Sequence, residues 1–417
     1  MSAIVAAIVP EQGKDTTSDR GKNVTFHATG ETATPASPIA SAPDRLAGLL
    51  EATQRPAPLI EAARNDCDSS RRLPQAVFEA MADTGLFRLW LPRTLGGPEL
   101  SPFEFMQVVE AASALDGSVG WLVGNGGGMS RVGGYLGEAA VRDWFGDPRA
   151  FVAGATGAVG TAVAVEGGYH VTGRWPFGSG AHHATRFMVL ASEQVDGPRI
   201  CCYLGRKDVA ILDNWFVSGL RGTGSCDFEA RDVFVPTDHT HPFLELRPTQ
   251  RGLLYHMPTV SVLAWSICAV PLGIARGAIN AFAELASRKS RLGNAPLRDR
   301  ELIQATVGRT EAMLGAARAF LIDAMTELMA ATEGDGERLV KARAMLRIAG
   351  THAAEAAMRV TDMLAAGAGA VSIFETCPLE RAVRDAQAAA KHIAMSPNNY
   401  ILAGRLVLGL DPGTIRF

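Results

Sequence analysis

The spacing of apolar residues changes twice along the chain. Between residues 44 and 145 apolar positions recur at helical intervals, as at Leu46, Leu49 and Leu50, which predicts an N-terminal helical domain. From about Ala150 to Phe243 short runs alternate apolar with polar residues and are separated by Gly, Asp and Pro, a pattern typical of β-strands; they include Val163–Val165, Phe228–Ala230 and Val233–Val235. From Gly252 onward long Ala-rich apolar stripes return and predict a bundle of four helices, at Val260–Leu285, Arg300–Thr332, Glu337–Gly367 and Pro378–Ile393.

These patterns predict an α+β chain with three folded parts behind a leader. The leader is rich in Thr, Ala, Pro, Ser and Gly, so it cannot bury enough apolar surface to offset the entropy of ordering. The predicted parts are a disordered leader (1–41), an N-terminal helical domain (42–149), a central β-barrel or sandwich (150–246) and a C-terminal four-helix bundle (247–417).

Composition limits the classes of function. A net charge of -3 and the lack of a basic cluster argue against nucleic-acid binding. The six cysteines show no C-x-x-C spacing and lie among apolar residues, as reduced cysteines of a cytoplasmic protein do. The longest apolar run, Thr259 to Ala275, is shorter than the ~20 residues of a membrane span. Adjacent His182 and His183 would point to opposite faces of a strand, so no metal site is predicted.

A hairpin in the β-region is the first candidate for ligand chemistry. Gly167 and Gly168 join two apolar strands, and the second strand continues into Trp175, Phe177 and Ser179. These residues are suited to give a planar ligand a flat apolar wall and one hydrogen-bond donor. The same pattern also fits an ordinary edge of a sandwich core.

Six ordered blocks resemble the acyl-CoA dehydrogenase superfamily, and within it the two-component flavin-dependent monooxygenases. The resemblance covers residues 44 to 417 and implies an acyl-CoA dehydrogenase-like fold: N-terminal helices, a central β-domain and a C-terminal four-helix bundle. The blocks are Arg71-Arg72-Leu73-Pro74, Leu95-Gly96-Gly97, Gly117-Ser118-Val119-Gly120-Trp121, Gly173-Arg174-Trp175, Gly219 to Ser225 leading to Asp232-Val233-Phe234-Val235-Pro236, and Arg381-Ala382-Val383-Arg384-Asp385 seven residues before His392.

The same resemblance separates two kinds of chemistry. An acyl-CoA dehydrogenase needs a positioned carboxylate to remove the α-proton of its substrate. Relatives place that base just after the last Arg-Asp pair or on the first bundle helix. The first position here reads Lys391-His392-Ile393, and no Asp or Glu lies between Glu245 and Glu284. Both positions for the base are therefore empty, which favours the monooxygenases.

Specific residues carry the expected roles, as the resemblance implies them. Ser179, through its hydroxyl or amide, is expected to bind flavin N5. His392 is expected near the flavin, where it would take a proton from the substrate or donate to the distal oxygen of a C4a-hydroperoxide. Arg288 or Arg291 would pair with a flavin phosphate; alternatively each is a solvated helix end. The remaining expected flavin-binding residues are Trp121, a Gly154-Ala155-Thr156 turn, Phe177, Gly178, Ile393 and, approaching from a neighbouring subunit, Ala370 and Val371.

The sequence thus predicts a cytoplasmic, homotetrameric monooxygenase. It would take reduced flavin, FMNH2 or FADH2, from a separate NAD(P)H:flavin reductase and transfer one oxygen atom from O2 to a small organic substrate. Phenol-hydroxylating relatives tend to have a histidine at the position of Met129 and an acid at that of Ser396. A phenol substrate is therefore less favoured than an amine, a thioether or a substrate with another electron-rich carbon. The alternatives are a flavin dehydrogenase or oxidase acting on a substrate not bound to CoA, and a non-catalytic binding homologue.

Overall fold

A computed structural model describes residues 42–288, 295–334 and 336–414. The predicted leader and Arg291 lie outside the described residues. Seven α-helices come first in the described residues, as the apolar spacing predicts: α1 (Ala42–Gln54), α2 (Ala57–Ala62), α3 (Arg64–Ser70), α4 (Gln75–Asp83), α5 (Pro102–Leu115), α6 (Gly117–Met129) and α7 (Glu138–Phe145).

Helix α6 forms in spite of six glycines because neighbouring elements pack closely against it from several sides. Asp116 caps the helix, and its Oδ1 accepts from the backbone N–H groups of Ser118 and Val119 at 2.9 and 3.2 Å. A Cβ on Gly126 would lie 2.4 Å from Cε2 of Phe151, so this glycine permits a close approach of the two elements.

Seven strands form one sheet in the described residues, in the order β5-β6-β2-β1-β3-β4-β7. Strands β1 and β3 are parallel, and the other neighbours are antiparallel. The strands are β1 (Val152–Val165), β2 (Gly168–Gly178), β3 (Arg186–Ser192), β4 (Ile200–Gly205), β5 (Ala210–Ile211), β6 (Cys226–Pro236) and β7 (Thr240–Pro242).

Strand β1 is much longer than the predicted Val163–Val165. Its N-terminal part is rich in Gly and Ala, which have low strand propensity, but residues 152–155 and 159–161 pair with β3, and this pairing overrides that preference; β2 pairs with the C-terminal part from Thr161 onward. Strand β6 is continuous where two short strands were expected. Asp232 supplies the irregularity with a φ of 52°, and the register against β2 shifts between Val171 and Gly173.

The C-terminal part is helical, with α8 (Leu253–His256), α9 (Thr259–Cys268), α10 (Val270–Ser287), α11 (Glu301–Thr332), α12 (Gly336–Ala368), α13 (Pro378–Ala389) and α14 (Asn398–Val407). Helices α10, α11, α12 and α13 pack together as the predicted bundle. The predicted helix from 260 to 285 is two helices, with the break just before Pro271. The stretch Thr259–Ser287 is long and apolar enough to cross a membrane, and 83% of its apolar window is buried within the fold.

Candidate functional site

Trp121 joins two of the other predicted site residues. Its indole Nε1–H donates a hydrogen bond to the Ser179 hydroxyl at 3.0 Å. Its ring meets the imidazole of His392 edge to face, with 5.6 Å between the ring centroids. Residues 121, 179 and 392 therefore form one cluster, supplied by α6, by the end of β2 and by the segment after α13.

The end of β2 turns sharply at Phe177. Phe177 has a φ of 62°, and its carbonyl accepts from the backbone N–H of Ser179 at 2.9 Å. The Phe177 ring is 65% exposed, whereas Trp175 is fully buried and donates from Nε1 to the Leu190 carbonyl at 3.0 Å. The expected wall of two aromatic rings is wrong for Trp175. Residues two apart on a regular strand share a face, but the φ of 62° at Phe177 and the register shift against β6 between Trp175 and Gly178 turn the Phe177 ring away from the buried side. Phe177 alone provides the exposed ring.

Gly178 is buried for a reason of packing. A Cβ at this position would lie 2.7 Å from Cδ1 of Phe228 on the neighbouring strand β6. The structure therefore gives Gly178 a close contact with the core, which fixes the direction in which Phe177 and Ser179 leave the strand.

Gly154, Ala155 and Thr156 lie within strand β1, so the expected turn is wrong. The pairing of β1 with β3 is interrupted between Ala155 and Val159, which leaves residues 156–158 outside that ladder. Gly157, in this bulge, faces Pro176, because a Cβ added to Gly157 would lie 3.6 Å from Pro176 Cγ. The bulge therefore adjoins the end of β2, and its backbone polar groups are free of β3.

His392 is held as a neutral imidazole with a defined tautomer. Its Nδ1 accepts from the backbone N–H of Ala394 at 3.1 Å, which places the ring proton on Nε2. His392 keeps an exposed surface, while protein atoms lie close around the imidazole. This desolvation, with a smaller effect from the positive charge of Arg347, lowers the pKa of His392 to about 4.

The two departures from the phenol-hydroxylating pattern have structural roles here. Met129 is buried in an apolar cluster, and its sulfur would lie 2.9 Å from a Cβ placed on Gly154. The Ser396 hydroxyl accepts from the backbone N–H of Asn398. The backbone carbonyl of Ser396 accepts from Thr351 Oγ1 at 3.2 Å. Neither side chain offers a charge to a ligand.

Sequence reasoning used the block from 219 to 225 only as a sign of family resemblance and missed two functional candidates in it, Thr223 and Ser225. The hydroxyls of Ser179 and Ser225 are 2.8 Å apart, and those of Ser225 and Thr223 are 2.7 Å apart. Thr223 donates to the carbonyl of Leu220 at 2.8 Å. Hydroxyl residues between glycines were the visible signal for this network.

A buried carboxyl group stands behind the same turn. Asp385 Oδ1 on α13 accepts from the backbone N–H of Leu220 at 2.6 Å, and a Cβ on Gly117 would lie 2.8 Å from its Oδ2. Burial, followed by the negative charge of Asp116, raises the pKa of Asp385 to about 7. Arg381 acts in the opposite direction and pairs with Asp116 Oδ2 at 3.6 Å.

Of the other predicted residues, Ile393 adjoins the cluster, whereas Arg288, Ala370 and Val371 belong to other elements. Arg288 follows the last turn of α10, where its exposed guanidinium pairs with Glu284, as a solvated helix end does. Ala370 and Val371 belong to an exposed 3-10 helix, Gly369–Ile373. Ile393 follows His392 and is 66% exposed. Within the described part of the chain no recorded contact joins Arg288, Ala370 or Val371 to Trp121.

Two cavities in the described residues are lined by residues outside the cluster of Trp121, Ser179 and His392. One of about 370 Å³ is lined by residues that include Arg72, Leu73 and His182, and one of about 210 Å³ by residues that include Arg64 and Arg381. We assign the site to the Trp121 cluster because it combines a tuned imidazole, a polar network and exposed apolar side chains. No group of three potential metal ligands occurs in the parts of the chain that the structure describes.

The chain matches two family models. Residues 54–143 match the acyl-CoA dehydrogenase N-terminal domain, and residues 265–397 match the acyl-CoA dehydrogenase C-terminal domain. Together with the fold, these matches define the class: the chain belongs to the acyl-CoA dehydrogenase family.

The relatives narrow the class. The chain is 32% identical over 390 residues to an indole-3-acetate monooxygenase of Pseudomonas putida, covering 91% of this chain and 97% of that one. It is 29% identical over 388 residues to the flavin-dependent monooxygenase oxygenase subunit HsaA of Mycobacterium tuberculosis, covering 88% and 96%. A solved structure of XiaF from Streptomyces in complex with FADH2 and glycerol aligns with a TM-score of 0.79 at 26% identity, covering 89% and 98%. Within its family the chain is a flavin-dependent monooxygenase of the two-component type, which uses reduced flavin and O2.

The residues of the cluster fit a flavin. A flavin has a planar apolar ring system with polar atoms along its edges. Phe177, two residues before Ser179, and Ile393, directly after His392, expose apolar surface, while the β1 bulge and Ser179 supply polar groups. The confirmed parts of the sequence prediction are thus the fold, the monooxygenase function and the cofactor, whereas the individual contacts to the flavin stay predictions.

Proposed function

We propose that this chain is the oxygenase component for a small electron-rich substrate whose oxygenation needs no removal of a phenolic proton. The observation that carries the proposal is the state of His392, a neutral ring whose Nδ1 is already bonded and whose only proton is on Nε2. Bound reduced flavin supplies the activation of O2, and the residues of the chain supply position and proton contacts.

A ring in this state donates a hydrogen bond and does not accept a proton. Its Nδ1 lone pair is occupied by the Ala394 N–H, and protonating it would break that bond and add a positive charge near Arg347. Of the two expected roles, donation from Nε2 therefore has the better support. A phenol, which reacts best after losing its proton, would lack a base here.

The chain also replaces both polar side chains associated with phenol substrates. Met129 is buried in an apolar cluster, and the Ser396 hydroxyl accepts from the backbone N–H of Asn398, so neither side chain assists a phenol. The Pseudomonas putida relative is named for indole-3-acetate, whose electron-rich indole carbon needs no deprotonation before attack. We therefore place indole-like carbons, amines and thioethers ahead of phenols as substrates.

The flavin would lie against Phe177, the β1 bulge and Ser179, with His392 on the substrate side. Removal of water from such a site protects the oxygenated flavin from unproductive decay. The chain has no nicotinamide-binding motif, so a separate NAD(P)H:flavin reductase supplies the reduced cofactor. FMNH2 and FADH2 both remain candidates for this chain, and titration with each reduced flavin will decide between them.

Assembly and location belong to the same proposal. Exposed apolar side chains at Val371, Ile373 and Phe374, which are 47, 74 and 59% exposed, favour a contact between subunits of a homotetramer. The six cysteines are all buried and free, which favours the cytoplasm. Light scattering of the purified protein and fractionation of the producing cells test these two points.

Rapid mixing tests the oxygenase function. Protein with anaerobically reduced FMN or FAD is mixed with oxygenated buffer, and the return of oxidised-flavin absorbance is followed with and without an indole, amine, thioether or phenol. The expected result is slower flavin reoxidation than in free solution and a product that carries one atom of labelled O2. Reoxidation at the rate of free flavin, with no labelled product, would contradict the proposal.

His392→Asn and His392→Ala separate donation from folding. The Asn side-chain oxygen can still accept from the Ala394 N–H, but its amide group is too short to donate from the position of Nε2. Both variants are expected to bind reduced flavin nearly as wild type does, to lose oxygen transfer and to release more H2O2. Equal losses of flavin binding and of oxygen transfer in both variants would make His392 a structural residue.

A further inference from the structure

We infer that Ser225 and Thr223 are positioning residues that make the Ser179 hydroxyl an acceptor towards the cofactor and so favour reduced over oxidised flavin. This inference rests on the proposed placement of the flavin at Ser179. It concerns residues to which neither the sequence prediction nor the comparisons give a role in the site. The geometry that carries it is a chain of four hydrogen bonds with one direction.

The direction follows from counting protons. Thr223 has one hydroxyl proton, which it donates to the Leu220 carbonyl at 2.8 Å. Its contact with Ser225 at 2.7 Å must then be donated by Ser225. The Ser225 proton is thereby used, so the 2.8 Å contact between Ser225 and Ser179 is donated by Ser179.

The hydrogen bond at the Trp121 end of this series agrees with the same direction. An indole N–H only donates, so Trp121 donates to the Ser179 oxygen at 3.0 Å. The opposite order would leave the Thr223–Leu220 contact without a hydrogen-bond proton, because Thr223 would donate to Ser225 instead. Since these groups are buried, the assignment with one more internal bond is favoured.

Ser179 consequently has no proton left for a ligand. Its hydroxyl proton goes to Ser225, and its backbone N–H goes to the Phe177 carbonyl at 2.9 Å. Its oxygen accepts from Trp121 and keeps one further lone pair. Reduced flavin carries hydrogen on N5 and needs such an acceptor, whereas N5 of oxidised flavin needs a donor. The expected donor role of Ser179 is thus replaced by an acceptor role in this inference.

The turn that holds this chain is fixed from both ends. Leu220 and Gly224 both have a φ of 52°, and the Thr223 carbonyl accepts from the Gly180 N–H at 2.8 Å, next to Ser179. The Leu220 N–H is bound by Asp385. The two hydroxyls of the turn therefore have little freedom to reverse their order.

The test measures the dissociation constants of the oxidised and the reduced flavin anaerobically and compares their ratio between variants. The titrations use FMN or FAD, whichever binds the wild-type protein more tightly. Ser225→Ala and Thr223→Val free the Ser179 proton for oxidised N5, while N5–H of reduced flavin can still donate to Ser179. One net hydrogen bond corresponds to about a fivefold change, so the preference for reduced flavin is expected to fall about fivefold in each variant. Ser179→Ala should weaken the binding of reduced flavin by about the same factor.

Two controls distinguish orientation from general damage. Ser225→Thr keeps a hydroxyl and is expected to keep the wild-type ratio. Ser192→Ala removes another buried hydroxyl, bonded to the Pro198 carbonyl at the end of β3, and should leave the ratio unchanged.

The possible outcomes have separate meanings. An unchanged ratio in Ser225→Ala and Thr223→Val overturns this inference, as does an equal weakening of both flavins, which would reveal only a structural role. In either case wild-type protein that binds reduced flavin and forms product leaves the proposed function intact. Wild-type protein that neither binds reduced flavin nor slows its reoxidation overturns the proposed function and this inference together.

Discussion

Asp385→Asn tests whether the buried carboxyl group behind the site carries a proton. Asparagine keeps an oxygen that can accept from the Leu220 N–H, and its NH2 group can donate towards Asp116 Oδ2. The Oδ2 atom of Asp116 is buried and has no hydrogen-bond partner in the described part of the chain. The substitution therefore imitates the protonated acid without the ability to titrate.

The pKa shift of Asp385 gives the sign and the size of the expected effect. Its pKa rises from an ordinary value near 4 to about 7 because the group is buried and lies near Asp116. The folded chain thus binds this proton more tightly than the unfolded chain does. The resulting stability is fully present below about pH 4 and is lost as the pH rises through about 7. At about 1.4 kcal/mol per pH unit, a shift of about three units limits the loss to ~4 kcal/mol.

Urea unfolding at several pH values from 5 to 8, followed by tryptophan fluorescence, measures this effect. We expect the stability of Asp385→Asn to gain about 2–4 kcal/mol relative to wild type across this range. Asp385→Leu, the apolar control, leaves the Leu220 N–H unpaired and should lose about 1–3 kcal/mol relative to Asp385→Asn at every pH. A difference between wild type and Asp385→Asn that stays constant with pH would refute the assignment of the proton.

Three further predictions concern packing and proton state. Gly126→Ala should cost about 1–3 kcal/mol in urea unfolding, because its Cβ would meet Phe151 at 2.4 Å. Gly308→Ala in α11, where nothing lies within 4 Å, should instead stabilise the chain by up to ~1 kcal/mol. The amount of product per O2 consumed should stay constant from pH 6 to 9, because the pKa of His392 is lowered to about 4; a rise with a midpoint in that range would contradict its neutral state.

The fold was predictable because its main signals are periodic. Apolar spacing placed α11 and α12 to within a few residues, since both are long and have one buried face. The N-terminal half of β1 was not predictable from local preference. Gly154 weakens a strand, and its pairing with Met188 of β3, which comes from distant sequence, compensates for this.

The site was predictable in its members but not in their states. Resemblance indicated Trp121, Ser179 and His392, and the structure brings these three together. The burial of Trp175 and the bond to Nδ1 of His392 depend on neighbours supplied by other parts of the chain. The direction of the hydroxyl chain depends on Leu220, whose carbonyl is one acceptor among hundreds in the sequence.

The link from Asp385 to Leu220 explains how residues far apart in sequence can act as one site. Asp385 lies on α13, whose last turn leads directly to His392, and it packs against Gly117 at the start of the helix that carries Trp121. Through Leu220 it also holds the turn whose hydroxyls bind Ser179. If this link positions the site, Asp385→Leu should impair flavin preference and oxygen transfer together, whereas Asp385→Asn should keep both. Loss of one property without the other would show that the two sides of the site are held independently.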